Sequence, residues 1–317
     1  MVDITDIEAA AERIAGHVLR TPTVPSPGLS ALLGVPVTAK LELLQRGGSF
    51  KVRGAASKLL AMTDAERAAG VVAVSGGNHA IGVAVMAGAL GVAATVVMPK
   101  SAPARAAAAA RRAGADVRLT EDMASAFALM DQLQLDGLTL LHPFADPVVL
   151  AGQGTVGLEF GQDAGELTDV LVSIGGGALI SGVAVALHAQ RPGIRVWGVE
   201  TEGAQAMTDA LAAGGPVTTT LTSSVSTLCA PTVSQLTYDH VSTVVEEVLL
   251  VSDSDAMQGT LDLADHAKVW AEPAAGCLLP AARRVLDRIG PDARLGLVVC
   301  GGNIATADVL RTSGTPS

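Results

Sequence analysis

Lys51 lies in the run Leu44-Gln45-Arg46-Gly47-Gly48-Ser49-Phe50-Lys51-Val52-Arg53-Gly54-Ala55, an amine framed by glycines beside one aromatic ring. An amine that acts first as nucleophile and later as base must stay partly neutral, through burial or nearby positive charge. Phe50 and the flanking glycines supply a tight, partly apolar setting of that kind. Two glycine loops farther along offer what a phosphorylated cofactor bound to that amine needs. Ser75-Gly76-Gly77-Asn78-His79-Ala80 follows the apolar run at 71–74 and leads into an apolar helix. Such a strand-loop-helix turn aims successive backbone N–H groups at one anion, here a carboxylate. Asn78 can both donate and accept toward a ring hydroxyl, and Ser75 and His79 can add side-chain contacts. Ser173-Ile174-Gly175-Gly176-Gly177-Ala178-Leu179 has the same construction, and three adjacent glycines let the backbone approach a phosphate dianion at a helix start.

Each segment also has a plainer reading. Lys51 can be a solvated residue at a helix start, Gly76-Gly77-Asn78 a tight βα turn, and Cys300 in Leu297-Val-Val-Cys300-Gly301-Gly302-Asn303 a core thiol beside a turn. If Cys300 instead faces a pyridine nitrogen, it offers a weak neutral hydrogen bond and does not hold that nitrogen protonated. The triple glycine lacks the GxGxxG spacing of a dinucleotide unit, although Glu200 after Val196–Val199 keeps a nucleotide reading open.

The elements that must position these loops are legible as alternation. β-branched apolar runs recur at 71–74, 94–98, 170–174, 196–199 and 295–299, separated by Ala-rich stretches of helical length such as 102–113 and 179–189. Strands alternating with helices predict an α/β chain with two parallel-rich twisted sheets covered by helices. Thr5 followed by Glu8 has capping-box spacing and predicts a helix from Asp6 to Ala15. The loop at His142-Pro143-Phe144 and the stretch after Lys51 are the natural crossings. They predict a small domain, 56–147, inserted into a large cofactor-binding domain made of 1–55 and 148–317.

Composition narrows the class of function. The chain has 317 residues, 49% of them hydrophobic, enough for a sizeable core. A net charge of -10, from 31 acidic against 21 basic residues, disfavours nucleic acid and anionic membrane as partners. Cys229, Cys277 and Cys300 have no CxxC spacing, so no zinc site or disulfide framework is indicated, and a reducing cytoplasm is the expected location. No secretory signal is readable at the N-terminus. The uncharged stretches 82–99 and 171–187 approach membrane-span length but are interrupted by glycines, and read as buried βα units.

The four segments, in this order, resemble the fold-type II pyridoxal phosphate enzymes (tryptophan synthase β-like), and within them the serine/threonine dehydratase, or ammonia-lyase, group. The likeness spans nearly the whole chain and includes His142-Pro143-Phe144, Gly152-Gln153-Gly154-Thr155 and Glu272-Pro273-Ala274-Ala275-Gly276; Ser49-Phe50-Lys51-Val52-Arg53-Gly54-Ala55 is its specific part. The resemblance implies pyridoxal 5'-phosphate as cofactor and Lys51 as the catalytic, Schiff-base lysine. It places Phe50 beside the cofactor, Asn78 on its ring hydroxyl, Gly175, Gly176, Gly177, Ala178 and Leu179 around its phosphate, and Cys300 opposite its ring nitrogen. Ser75, Gly76, Gly77 and His79 fall where the group binds the substrate carboxylate, and Glu272 matches a glutamate near the cofactor. The implied reaction is β-elimination from a β-hydroxy amino acid such as threonine or serine to a 2-oxo acid and ammonia, in a homodimer; racemisation or β-replacement on the same fold is the alternative.

The departures from the group are specific. Gly76 stands where racemases carry a second acid/base serine, and Ser226 and Thr227 replace an Asp-Gly common in threonine dehydratases. Glu200 and Ala204 match two of three cation positions, but Ala206 stands at the third, so no metal is expected.

Overall fold

Unbroken apolar runs such as Val71-Val-Ala-Val74 bury both faces of a strand and therefore call for helices above and below the sheet. The computed structural model describes residues 1–312 and contains ten strands: β1 (Thr23–Pro25), β2 (Val37–Leu41), β3 (Val71–Val74), β4 (Ala94–Pro99), β5 (Asp116–Thr120), β6 (Thr139–Leu140), β7 (Asp169–Ser173), β8 (Arg195–Thr201), β9 (Glu247–Val251) and β10 (Leu295–Val299). They form a six-stranded sheet in the order β1-β2-β10-β7-β8-β9 and a four-stranded sheet in the order β5-β4-β3-β6. Every pairing is parallel except that of β1 with β2. All residues of β3, β4, β7 and β10 are buried, the pattern of strands covered on both faces.

Each sheet has its own apolar core. Leu171, Val196, Leu297 and Phe160 belong to that of the larger sheet, and Val71, Val96, Val83 and Met86 to that of the smaller. The uncharged stretches 82–99 and 171–187 are helix followed by β4 and β7 followed by helix. Among the described residues no helix is long and apolar enough to cross a membrane.

The first helix differs from its expected start. It runs Ile4–Ile14 with Asp3 as N-cap, whose side chain accepts from the backbone N–H groups of Thr5 and Asp6 while Asp6 returns a bond to Asp3. Ile7, Ala10 and Ile14 form its buried stripe, which either start would contain, and the reciprocal Asp3–Asp6 capping box sets the earlier start.

Candidate active site

Parallel strands deliver their loops to one end, and three such loops converge here: 75–77 after β3, 174–177 after β7 and 300–303 after β10. Segment 47–50 is knitted to the last of these. Phe50 N donates to Cys300 O at 3.1 Å and Gly302 N to Gly48 O at 3.0 Å, Ser49 bridges Gly301, and Asn303 Nδ2 donates to Gly47 O at 2.8 Å.

Lys51 is the first residue of helix Lys51–Ala61. Its Nζ donates to Pro143 O at 3.5 Å and lies 5.0 Å from the Phe50 ring centroid. Burial lowers its pKa to about 8, against the opposing charges of Cys300 and Glu272. A substantial neutral fraction at physiological pH is what a nucleophilic amine requires.

Helices Asn78–Leu90 and Ala178–Gln190 start from Gly77 and Gly177, and neither has a side-chain cap. Their first-turn N–H groups are therefore open toward an anion. Gly177 adopts φ 92, a left-handed conformation that favours glycine. A Cβ on Gly176 would overlap the Phe144 ring, so that position admits no side chain and keeps the backbone accessible.

Asn78 is held from both ends. Its Nδ2 donates to Glu272 Oε1 at 2.7 Å and its Oδ1 accepts from Asn303 Nδ2 at 2.8 Å. One N–H of the amide stays uncommitted. Glu272 Oε2 is buried without a partner, and burial raises the Glu272 pKa to about 7 even though the Asn78 bond opposes it. His79 donates from Nε2 to Leu141 O at 2.8 Å. Burial, followed by the charge of Lys51, lowers its pKa to about 3, so the neutral ring anchors the loop and leaves Nδ1 as an acceptor. Ser75 Oγ accepts from Gly77 N at 3.1 Å. Cys300 Sγ lies 3.5 Å from Ser173 Oγ, and burial pushes its pKa up to about 12, which keeps it a neutral thiol.

Glu200 caps a helix. Its oxygens accept from Met207 N at 2.8 Å, Thr208 N at 2.9 Å and Thr208 Oγ1 at 2.7 Å. Donors crowd both oxygens, and among the described residues no group of three or more His, Cys, Asp or Glu could hold a metal ion.

Sequence reasoning did not assign roles to Asn303, Pro143 or Phe144. Asn303 follows Gly301-Gly302 at a strand end, the same signal that singled out Asn78, so it was findable. The Pro143 carbonyl, being backbone, was not.

The donor set suits pyridoxal 5'-phosphate. An amine of lowered pKa, an uncapped triple-glycine helix start, an amide with a free N–H and a neutral thiol correspond to the aldehyde, phosphate, ring hydroxyl and ring nitrogen of that cofactor. Fold and site together suit an α/β enzyme that uses this cofactor. The comparisons agree, because residues 14–301 match the family described as "Pyridoxal-phosphate dependent enzyme", and the chain belongs to that family. It is 39% identical to the L-threonine ammonia-lyase of Geobacter sulfurreducens, over 96% of this chain and 76% of the relative. It is 38% identical to the phenylserine dehydratase of Ralstonia pickettii, over 98% and 96%. The structure of maize serine racemase superposes with a TM-score of 0.92 at 32% identity, covering 98% of this chain and 97% of that one.

Proposed function

We propose that this enzyme is a lyase that removes water and then ammonia from a β-hydroxy amino acid of the threonine type. The observation that carries the reading is the pairing of a desolvated Lys51, its pKa lowered to about 8, with the uncapped glycine start of helix Ala178–Gln190. Relatives named for threonine and for phenylserine support the same reaction class.

The bound cofactor supplies an electron sink that acidifies the Cα–H of an amino acid attached to it. Gly175 to Leu179 would hold its phosphate, Asn78 its ring hydroxyl, Cys300 its ring nitrogen and Phe50 one side of its ring. Backbone N–H groups at Gly76, Gly77 and Asn78, with Ser75, bind the substrate carboxylate, and His79 keeps that loop in place. Lys51 Nζ takes the Cα proton as general base. The Cβ hydroxyl departs as water by taking up the proton that Lys51 Nζ removed from Cα, which returns the amine to its neutral form. Hydrolysis of the released enamine gives a 2-oxo acid and ammonia. Gly76, where racemases of this group carry a serine, has no side chain to serve as a second proton carrier, which weighs against racemisation.

The larger unit in this reading is 1–55 with 148–317 and the smaller is 56–147. Strands β3 to β6 all fall inside the smaller segment, and the 55/56 junction lies within helix Lys51–Ala61. The assembly is a homodimer in the cytoplasm, a setting that suits three free cysteines. Sedimentation reads the dimer directly.

Borohydride reduction of the cofactor-loaded protein, followed by peptide mass mapping, tests the site, and detection of 2-oxobutanoate from threonine tests the reaction. The expected result is a reduced adduct on Lys51 and oxo acid that disappears in Lys51→Ala. An adduct on another lysine, or full turnover in Lys51→Ala, refutes the assignment.

A further inference from the structure

Next to Gly77 the molecule opens into a cleft of about 880 Å³. The cleft adjoins the carboxylate loop: Thr227 on its wall lies 3.7 Å from where a Gly77 Cβ would sit, and Glu272 and Asn303, also on its wall, clamp Asn78. Much of the lining is apolar, with Pro103, Val225, Met257, Leu261, Ile304 and Ala305. The wall at 224–227 is held in place by Asp253, which accepts from Ser223 Oγ at 2.6 Å, Ser224 N at 2.5 Å and Ser224 Oγ at 2.8 Å.

The charges on the lining are asymmetric. Asp253, Glu272 and Asp308 face one cation, Arg105, and Arg105 is ion-paired with Asp308. A second carboxylate on the substrate would meet three acidic groups and an arginine already engaged. A methyl group would leave most of the apolar wall in contact with water, whereas a ring would cover it.

We propose, resting on the lyase reading above, that this cleft receives the β-substituent and that the preferred substrates are β-hydroxy amino acids whose β-substituent is uncharged, apolar and larger than methyl, such as an aryl ring. Pocket discrimination of roughly tenfold or more accompanies a single buried methylene. The kcat/KM for 3-phenylserine should therefore exceed that for threonine by at least about tenfold, with 3-hydroxyaspartate below both.

The experiment measures kcat/KM for those three compounds by oxo-acid formation in the cofactor-loaded enzyme and in Met257→Trp, with Leu261→Trp as the second narrowing variant should the first fail to fold. The expected result is that narrowing lowers the phenylserine-to-threonine ratio by about tenfold or more. Threonine equalling or exceeding phenylserine, 3-hydroxyaspartate ranking first, or a ratio that narrowing leaves unmoved overturns the cleft assignment while the lyase reading survives. Failure of all three compounds in protein whose Lys51 carries the reduced adduct overturns the lyase reading and this proposal with it.

Discussion

The Asn78 amide donates to Glu272 Oε1 at 2.7 Å, joining a helix start after β3 to a residue 194 positions later in the chain. Because Asn303 occupies Asn78 Oδ1 at 2.8 Å, the orientation of the amide is fixed before any ligand arrives, and the uncommitted N–H has one direction available. Preorganisation of this kind reduces the ordering cost of binding.

Glu272→Ala removes the acceptor and frees the amide, whereas Glu272→Gln keeps an acceptor oxygen and removes only the charge. Loss of the acceptor that fixes the amide is worth about 1.4 kcal/mol, so cofactor affinity in Glu272→Ala should fall by about tenfold. Absorbance titration of the apoprotein with cofactor reads this without turnover, and Glu272→Gln should stay near the parent. Equal affinities for all three proteins would remove Asn78 positioning from the account.

Glu272 also sets a pH dependence of stability. Its folded pKa is raised from 4.5 to about 7, chiefly by burial, so the folded state holds its proton more tightly than the unfolded chain does. Its contribution is fully present below pH 4.5 and is lost as pH rises through about 7. Denaturant titrations at pH 5 and pH 8 should show a larger stability loss in the parent than in Glu272→Gln. Identical losses in both proteins would contradict this.

Much of the fold was readable from the residues because parallel strands covered on both faces have to be continuous apolar runs. The runs at β3 and β10 therefore matched residue for residue. β5 was not readable: its sequence, Asp116-Val-Arg-Leu-Thr120, lies at the edge of its sheet with exposed positions, and an edge strand carries no continuous apolar signal. The glycine loops were legible as βα turns. The clamp on Asn78 was not, since it depends on partners brought together by sheet order, and spacing along the chain does not encode sheet order.

The buried charges beneath the site were equally invisible in the sequence. Arg53, two residues after Lys51, is fully buried and bonds Glu42 at 2.8 Å and Glu159 at 2.7 Å, while Lys40 bonds Glu159 at 2.6 Å. Removing one partner from a buried cluster leaves uncompensated charge. Arg53→Met should therefore cost about 3–5 kcal/mol in urea unfolding. Arg53→Lys should recover only part of that, since an ammonium cannot span both carboxylates as a guanidinium fork does. Full recovery with Lys would mean that charge alone matters there.

Gly176→Ala tests the phosphate cradle. The added methyl overlaps the Phe144 ring, so either the ring or the loop must move. Displacement of the loop should weaken cofactor binding by at least tenfold, about 1.4 kcal/mol. Phe144→Ala in the same chain should restore most of the affinity by opening the space. Equilibrium dialysis of the single and double variants checks both steps, and a Gly176→Ala protein that binds as tightly as the parent would mean the loop does not need its close approach.

Lys51 gives the clearest pH signature. Its pKa is lowered from 10.5 to about 8 by burial, and Glu272 is among the charges that oppose the shift. Imine formation requires the neutral amine. The rate at which apoprotein takes up pyridoxal 5'-phosphate should therefore rise about tenfold per pH unit below 8 and level off above it. The folded state binds this proton less tightly than the unfolded chain, so stability should also rise with pH between about 8 and 10.5. Glu272→Gln removes a negative neighbour and should move the uptake midpoint to lower pH. A midpoint near 10.5 in the parent would show that Lys51 is solvated at a helix start, and the site would then lose its nucleophile at neutral pH.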